Sequence, residues 1–410
     1  MLKSHLKAVD TQIEGRVEAD NDPAPERGDI LARAQRVAAV AALHADVVDR
    51  EGRFPHEAIT AAKEEGLFAL LVPAHLGGEA ASLADVADVC YALGAACAST
   101  GMIYAMHQVK VACVVDHCAD SAWHQDLLRR LAREQLLFAS STTEGKKGGD
   151  VRSSEAPVVC DGGGISLTRD ASVISYGEYA DAIITTARRN PEADGADQVL
   201  VCLMKGQYSL ERTMNWETLG MRGTCSAGFT LKAEAAAEQI IPTGYETIHA
   251  RSMVPAAHLL WSSAWTGVAS GAVERARRFM RRAARGGATP PGAQHFTRAV
   301  TDLNTLRGLV AASLARYEAA IAAGGEALHS IDFHTAISLL KVEASELAVA
   351  VVMSAMRATG LSGYRNDTDV SIGRALRDIL SSPIMINNDR ILGNLASSVL
   401  VAGAPRSLRG

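Results

Sequence analysis

Along the first third of the chain, apolar residues recur every three or four positions, the period of a helix with one buried face. Ile30, Ala34, Val37, Val40, Ala41 and Val47 predict a helix over 30–49, with Asp29 as its cap. Pro55 opens a second helix whose buried side is Ile59, Ala62, Leu67 and Leu70. The stretch 71–78 (LVPAHLGG) breaks the pattern with a proline and a glycine pair, and helices resume over 82–96, 100–117 and 121–133. At Leu136 the period changes to alternation. Strands are predicted over 136–140, 156–160, 164–168, 182–187, 199–204 and 228–233, separated by turn residues such as Asp161-Gly162-Gly163 and Asn190-Pro191. The triple glycine 162–164 is followed by no helix, so it reads as a hairpin turn and not a dinucleotide loop. Alanine-rich helical periodicity returns over 248–285, where Trp261 and Trp265 share a face, and continues over 294–323, 332–359 and 384–401. Helices, then strands, then helices predict an α+β multidomain chain. Its parts are a flexible arm (1–26), an N-terminal helical domain (27–135), a middle β domain (136–246) and a C-terminal helical bundle (247–410).

Composition narrows the class. A 48% hydrophobic and 21% charged share is that of a globular protein, and a net charge of −5 gives no electrostatic case for nucleic acid. Seven scattered cysteines without a C-x-x-C pair imply reduced thiols in the cytoplasm. None of the twelve histidines has metal-ligand spacing, so no metal is expected. No run has the length of a membrane span, and the N-terminus lacks the apolar core of an export signal.

Candidate chemistry concentrates in 136–154 (LLFASSTTEGKKGGDVRSS) and 172–181 (SVISYGEYAD). An apolar strand runs into Ser140, Ser141, Thr142 and Thr143, and Gly145, Gly148 and Gly149 allow a ligand close approach to the backbone. That surface suits a polar heteroaromatic edge; the plainer alternative is a solvated hairpin loop. His107, among apolar neighbours, reads as a hydrogen-bonded core histidine, with a pocket role as the alternative.

Together, Thr143-Glu144, the glycine-rich turn ending at Asp150 and Ile174-Ser175 resemble the flavin-binding middle domain of the acyl-CoA dehydrogenase superfamily. The resemblance spans about residues 30–402 and includes 71–78, 219–224 (LGMRGT) and 360–378 (GLSGYRNDTDVSIGRALRD). It implies a helical N-terminal domain, a β-barrel-like middle domain, a C-terminal four-helix bundle and a homodimer or homotetramer. It also implies FAD, or alternatively FMN, between the β domain and the bundle. Carried onto this sequence, Ser140, Thr142 and Thr143 face the flavin ring, with Gly148 and Gly149 in the adjoining turn. Ile174 and Ser175 lie beside the ring, and Arg357, Gly360, Asn388 and Arg390 contact a neighbouring subunit's cofactor.

Three departures bear on activity. The family's catalytic glutamate, eight residues after the Arg377-Asp378 pair, is replaced by Ile386. The alternative base position on the long helix holds Ala257, followed by His258 in place of an arginine. The R-x-x-F-G motif that clamps FAD across subunits is degraded to AARGG over 283–287. Removing a proton α to a thioester carbonyl needs a base, worth about 10²–10⁴-fold. The substitutes are His258 and, less well placed, Asp389, while Arg374, Arg377 and Asp378 read as a structural ion-pair segment. The favoured expectation is α,β-dehydrogenation of an acyl-CoA or acyl-carrier-protein thioester with a relocated base, passing electrons to an acceptor. A monooxygenase using reduced flavin from a reductase, and a non-catalytic relative, are the alternatives.

Overall fold

The computed structural model describes residues 29–145, 151–286 and 289–401. The expected arm and Gly148 and Gly149 lie outside these residues. The first helices follow from their caps. Asp29 accepts from Leu31 N (3.1 Å) to start α1 (Ile30–Glu51), and Gly52, at φ +63°, ends it. After α2 (His56–Glu64), a reciprocal Ser82–Asp85 capping box starts α3 (Leu83–Ala96). Helix α4 (Ala98–His117) is buried almost all round, whereas α5 (Ala122–Glu134) shows one apolar face.

The strands form two sheets. The smaller has the order β1-β4-β5: β1 (Phe138–Ser141) runs parallel to β4 (Ala182–Arg188), and β4 antiparallel to β5 (Gln198–Met204). The larger is antiparallel, in the order β2-β3-β7-β6, from β2 (Val159–Asp161), β3 (Gly164–Ala171), β7 (Gly228–Ala236) and β6 (Tyr208–Met214). Gly162 and Gly163 adopt positive φ at the β2–β3 turn, as the hairpin reading required. Two sequence expectations need correction. The stretch expected as one strand over 156–160 divides, with Pro157 bridging Arg188 of β4 and β2 pairing with β3 only from Val159, and β6 was not anticipated. It is an edge strand whose alternation is confined to Tyr208 and Leu210, too short a run to mark a strand.

The chain returns to helix through α6 (Tyr245–Ile248) and one π turn (His249–Met253) into α7 (Val254–Ala283), followed by α8 (Ala293–Ala322) and α9 (Ile331–Thr359). Helices α3 and α7 cross closely: a Cβ at Gly94 would lie 2.3 Å from the Ala264 carbonyl, and one at Gly267 2.1 Å from that of Tyr91. Beyond α10 (Leu361–Tyr364) and α11 (Gly373–Ile379), the single helix expected over 384–401 is instead a turn-rich stretch and two short helices, α12 (Asn388–Leu395) and α13 (Ser398–Val401). Ile386 at φ +46° cannot continue a helix, and Asn387 caps α12 through Asp389 N (2.8 Å).

The Arg374–Asp378 segment joins the parts. Arg374 pairs with Asp46 (2.6 Å), Arg377 with Asp49, and Asp378 accepts from Met221 N (2.6 Å). Burial pushes the Asp378 carboxyl up to about 6. Among the described residues no helix is long and apolar enough to cross a membrane.

Candidate flavin site

Strand β1 is held at three consecutive points. Leu137 N donates to Asp181 Oδ2 (2.8 Å), Phe138 N to His107 Nδ1 (3.0 Å), and Tyr176 Oη to the Phe138 carbonyl (3.0 Å). Since His107 Nδ1 accepts, its ring proton sits on Nε2 and is donated to the Phe68 carbonyl (2.9 Å). Burial depresses this histidine to about 4, so it is a neutral tie between α4 and the sheet.

The residues after β1 are anchored from beneath. Glu144 is buried and accepts from Ser154 Oγ (2.8 Å) and Glu155 N (2.7 Å), and it pairs with the buried Arg169 at 3.2 Å. Arg169 Nη1 also donates to the Thr186 carbonyl. With the acidic residue turned inward, Ser140, Thr142 and Thr143 are left partly exposed, whereas Ser141 is buried. Ser172 donates to Thr143 Oγ1 (3.0 Å) and, from its backbone N–H, to the Thr143 carbonyl (3.3 Å). This brings the two sequence segments together. Ile174 is buried and donates from its backbone N to the Ala227 carbonyl (2.9 Å), and Tyr176 turns the chain at φ +45°. Ser175 accepts from Ser226 Oγ (2.8 Å), which stands 2.8 Å from Thr224 Oγ1. Ser175 is partly exposed, with its own proton left to donate. Half-exposed hydroxyls on a fixed backbone fit the carbonyl and ring-nitrogen edge of an isoalloxazine.

The bundle side is built differently. Ala257 and His258 lie on α7, both buried. His258 Nδ1 is 3.0 Å from the Ile337 carbonyl, and burial holds the ring at about 4, with Lys341 adding to the depression. Nδ1 therefore carries the proton, and the imidazole is bound into the α7–α9 contact. Asp389 is exposed in the first turn of α12. Arg357, Gly360 and Arg390 are exposed as well, whereas Asn388 is buried. The Asn388 amide is engaged within its own chain: Oδ1 accepts from Lys341 Nζ (2.7 Å), and Nδ2 donates to Ser345 Oγ (3.0 Å) and Glu346 Oε1 (2.8 Å). The structure thus unites Asn388 with Ile386 and Lys341, and keeps His258 and Asp389 in different settings.

Arg169 and Lys341 carry no reading from the sequence. Glu144 Oε1 and Arg169 are a buried pair whose partners lie 25 positions apart in the sequence. Lys341 is fully buried on α9, among buried Ile337, Leu340, Ala344 and Ser345. The one signal for it is a lysine on the apolar stripe of that helix.

Family models match in two places: "Acyl-CoA dehydrogenase, N-terminal domain" over residues 25–135 and "Acyl-CoA dehydrogenase, C-terminal domain" over 252–395. Cyclohex-1-ene-1-carbonyl-CoA dehydrogenase of Geobacter metallireducens is 26% identical over 354 residues, 84% of this chain and 89% of that protein. Among solved structures, FMN-bound TdsC of Paenibacillus sp. A11-2, a dibenzothiophene monooxygenase, superposes with a TM-score of 0.80 at 18% identity, covering 93% of this chain and 100% of that one. Methanesulfinate monooxygenase MsuC of Pseudomonas fluorescens superposes with a TM-score of 0.79 at 21% identity, covering 93% and 99%. At these identities the superpositions establish the fold. The two family matches bracket the β domain that carries the hydroxyl rim, and the chain belongs to the acyl-CoA dehydrogenase family.

Proposed function

We propose that this chain is a flavin-dependent monooxygenase on the acyl-CoA dehydrogenase fold, using reduced flavin and oxygen. One observation carries the reading: neither position at which the family holds its base offers a competent proton acceptor. Ile386 and Ala257 are hydrocarbon, and the neighbouring His258 is buried, bound to a main-chain carbonyl and depressed to about 4. A base so far below neutrality has little driving force for taking a proton from carbon. Asp389, exposed to water, is in no better environment for that task.

The family's cofactor is FAD, with FMN as the alternative. Ser140, Thr142, Thr143 and Ser175 would hold its polar edge. The bound flavin, once reduced, supplies the electrons that activate oxygen. The chain's own part is to orient the ring through the rim and to keep a carboxylate away from the reacting position. The degraded 283–287 segment suits a cofactor that exchanges or is reduced by a partner reductase. Leu361, Tyr364, Ile384 and Leu400, each more than two-thirds exposed, support a homodimer or homotetramer.

The test supplies chemically reduced flavin and isotope-labelled oxygen together with a panel of aromatic and organosulfur compounds. Label in a product is expected; hydrogen peroxide alone across the panel would argue against the reading. A second reading, dehydrogenation of an acyl-CoA or acyl-carrier-protein thioester with an electron acceptor as partner, is supported by the Geobacter metallireducens relative, which matches over 84% of this chain.

A further inference from the structure

The segment between α11 and α12, residues 380–387, lies where the family carries its catalytic loop. Its end is fixed by one side chain from another helix. Lys341 Nζ donates to the Ile386 carbonyl (2.9 Å) and to Asn388 Oδ1 (2.7 Å), and it stands 5.7 Å over the Trp265 ring. We propose that Lys341 is a positioning residue: its ammonium locks the main chain at Ile386 and so sets the shape of the bundle-side wall of the flavin site. The second half rests on the flavin reading above; the lock itself does not.

Four observations support the lock. Lys341 is completely buried, and the hydrogen-bond acceptors it meets among the described residues are neutral, while the Glu346 carboxylate steadies its charge without a direct bond and is itself tied to Asn388. Ile386 is β-branched at φ +46°, a conformation that a branched side chain holds only when its surroundings enforce it. The inward-turned Ile386 carbonyl is the group the ammonium takes. The acceptor Asn388 is itself fixed by Ser345 and by Glu346, so the lock spans α9 and α12. A second buried lysine gives the contrast: among the described residues Lys110 reaches only Met253 Sδ, at 3.7 Å, and no main-chain carbonyl.

Hydrogen exchange on the full chain tests the lock without needing a substrate. Lys341→Met keeps the volume and removes the donors. We expect exchange over 384–388 to rise at least tenfold while α7 and the body of α9 are unchanged. Asn388→Ala removes one of the two acceptors and should give a smaller rise in the same segment; it serves also if Lys341→Met fails to fold. No change in the segment in either variant, or a rise spread evenly over α7 and α9, overturns the lock. The visible absorption band of added FAD or FMN is read in parallel. A shifted band in Lys341→Met supports the wall. A loosened segment with an unmoved band keeps the lock and overturns the assignment of this loop to the flavin site.

Discussion

On the sheet side, the residues after β1 rest on a buried carboxylate–guanidinium pair, Glu144–Arg169, and their hydroxyls are left for a ligand. On the bundle side, the turn before α12 rests on a buried ammonium with neutral acceptors, and Ile386 fills the position at which the family resemblance leads one to expect an acid. On the proposed reading, one wall keeps the hydroxyls that would hold a flavin edge, and the other offers hydrocarbon at the expected base position, with an ammonium behind its main-chain carbonyl. The comparison teaches that the two walls are anchored independently, by Glu144–Arg169 on one side and by Lys341 on the other, so that on the proposed reading cofactor binding could be kept while proton abstraction is lost.

The sharpest way to break the sheet wall is Glu144→Ala. It leaves Arg169 charged and buried, and about 3–5 kcal/mol of stability should be lost. Urea unfolding measures it; a loss under 1 kcal/mol would mean that the pair does not anchor the rim.

Next is acid, because both walls contain a fully buried neutral histidine. His107 and His258 fall from 6.5 to about 4 on folding. Between those values the unfolded chain binds more protons, so stability is full above about pH 6.5 and declines as pH falls to about 4. Each site contributes about 3 kcal/mol. Asp378, raised to about 6, works in the opposite sense and offsets one of them. Thermal melts from pH 7 to 4 should show a net decline; a flat profile would contradict the burial of the two rings.

How much of this was legible beforehand follows from physical causes. Helical periodicity gives α1, α3, α7, α8 and α9 nearly to their ends, because a buried stripe imprints itself on the sequence. Strand β6 does not show, because an edge strand facing water needs no apolar alternation. The segment of Ser172, Ile174 and Ser175 could be brought to Thr143 only through the family resemblance, since the contact is one backbone bond and one hydroxyl pair, both made by Ser172. Of the Lys341 lock only a lysine on the apolar stripe of α9 was legible, because a sequence does not say which distant carbonyl a buried ammonium will meet. The histidine at 258 was legible as a residue type suited to a base, but its tie to the Ile337 carbonyl depends on helix packing.

A smaller effect compares the two buried lysines. Lys110→Met removes an ammonium whose only hydrogen-bond partner among the described residues is a thioether sulfur, and burial has already lowered that amine to about 8. The variant should be more stable by about 2 kcal/mol, because an unpaired buried charge opposes folding. A destabilised Lys110→Met would show that this amine, like Lys341, holds something in place. Smallest is Ser175→Ala on the sheet wall, with the loss of one hydrogen bond, about 0.5–1.5 kcal/mol. Flavin affinity from fluorescence titration should weaken by about 3- to 10-fold, and an unchanged affinity would remove Ser175 from the rim.

The most direct measurement is an anaerobic titration of the flavin-loaded protein, first with a panel of acyl thioesters and then with an external reductant, followed in the visible spectrum. On the proposed reading, with no competent base at Ile386, Ala257 or His258, the flavin stays oxidised through every thioester addition and bleaches only with the reductant. Stoichiometric bleaching by any thioester would show that a proton acceptor operates after all and would restore the dehydrogenase.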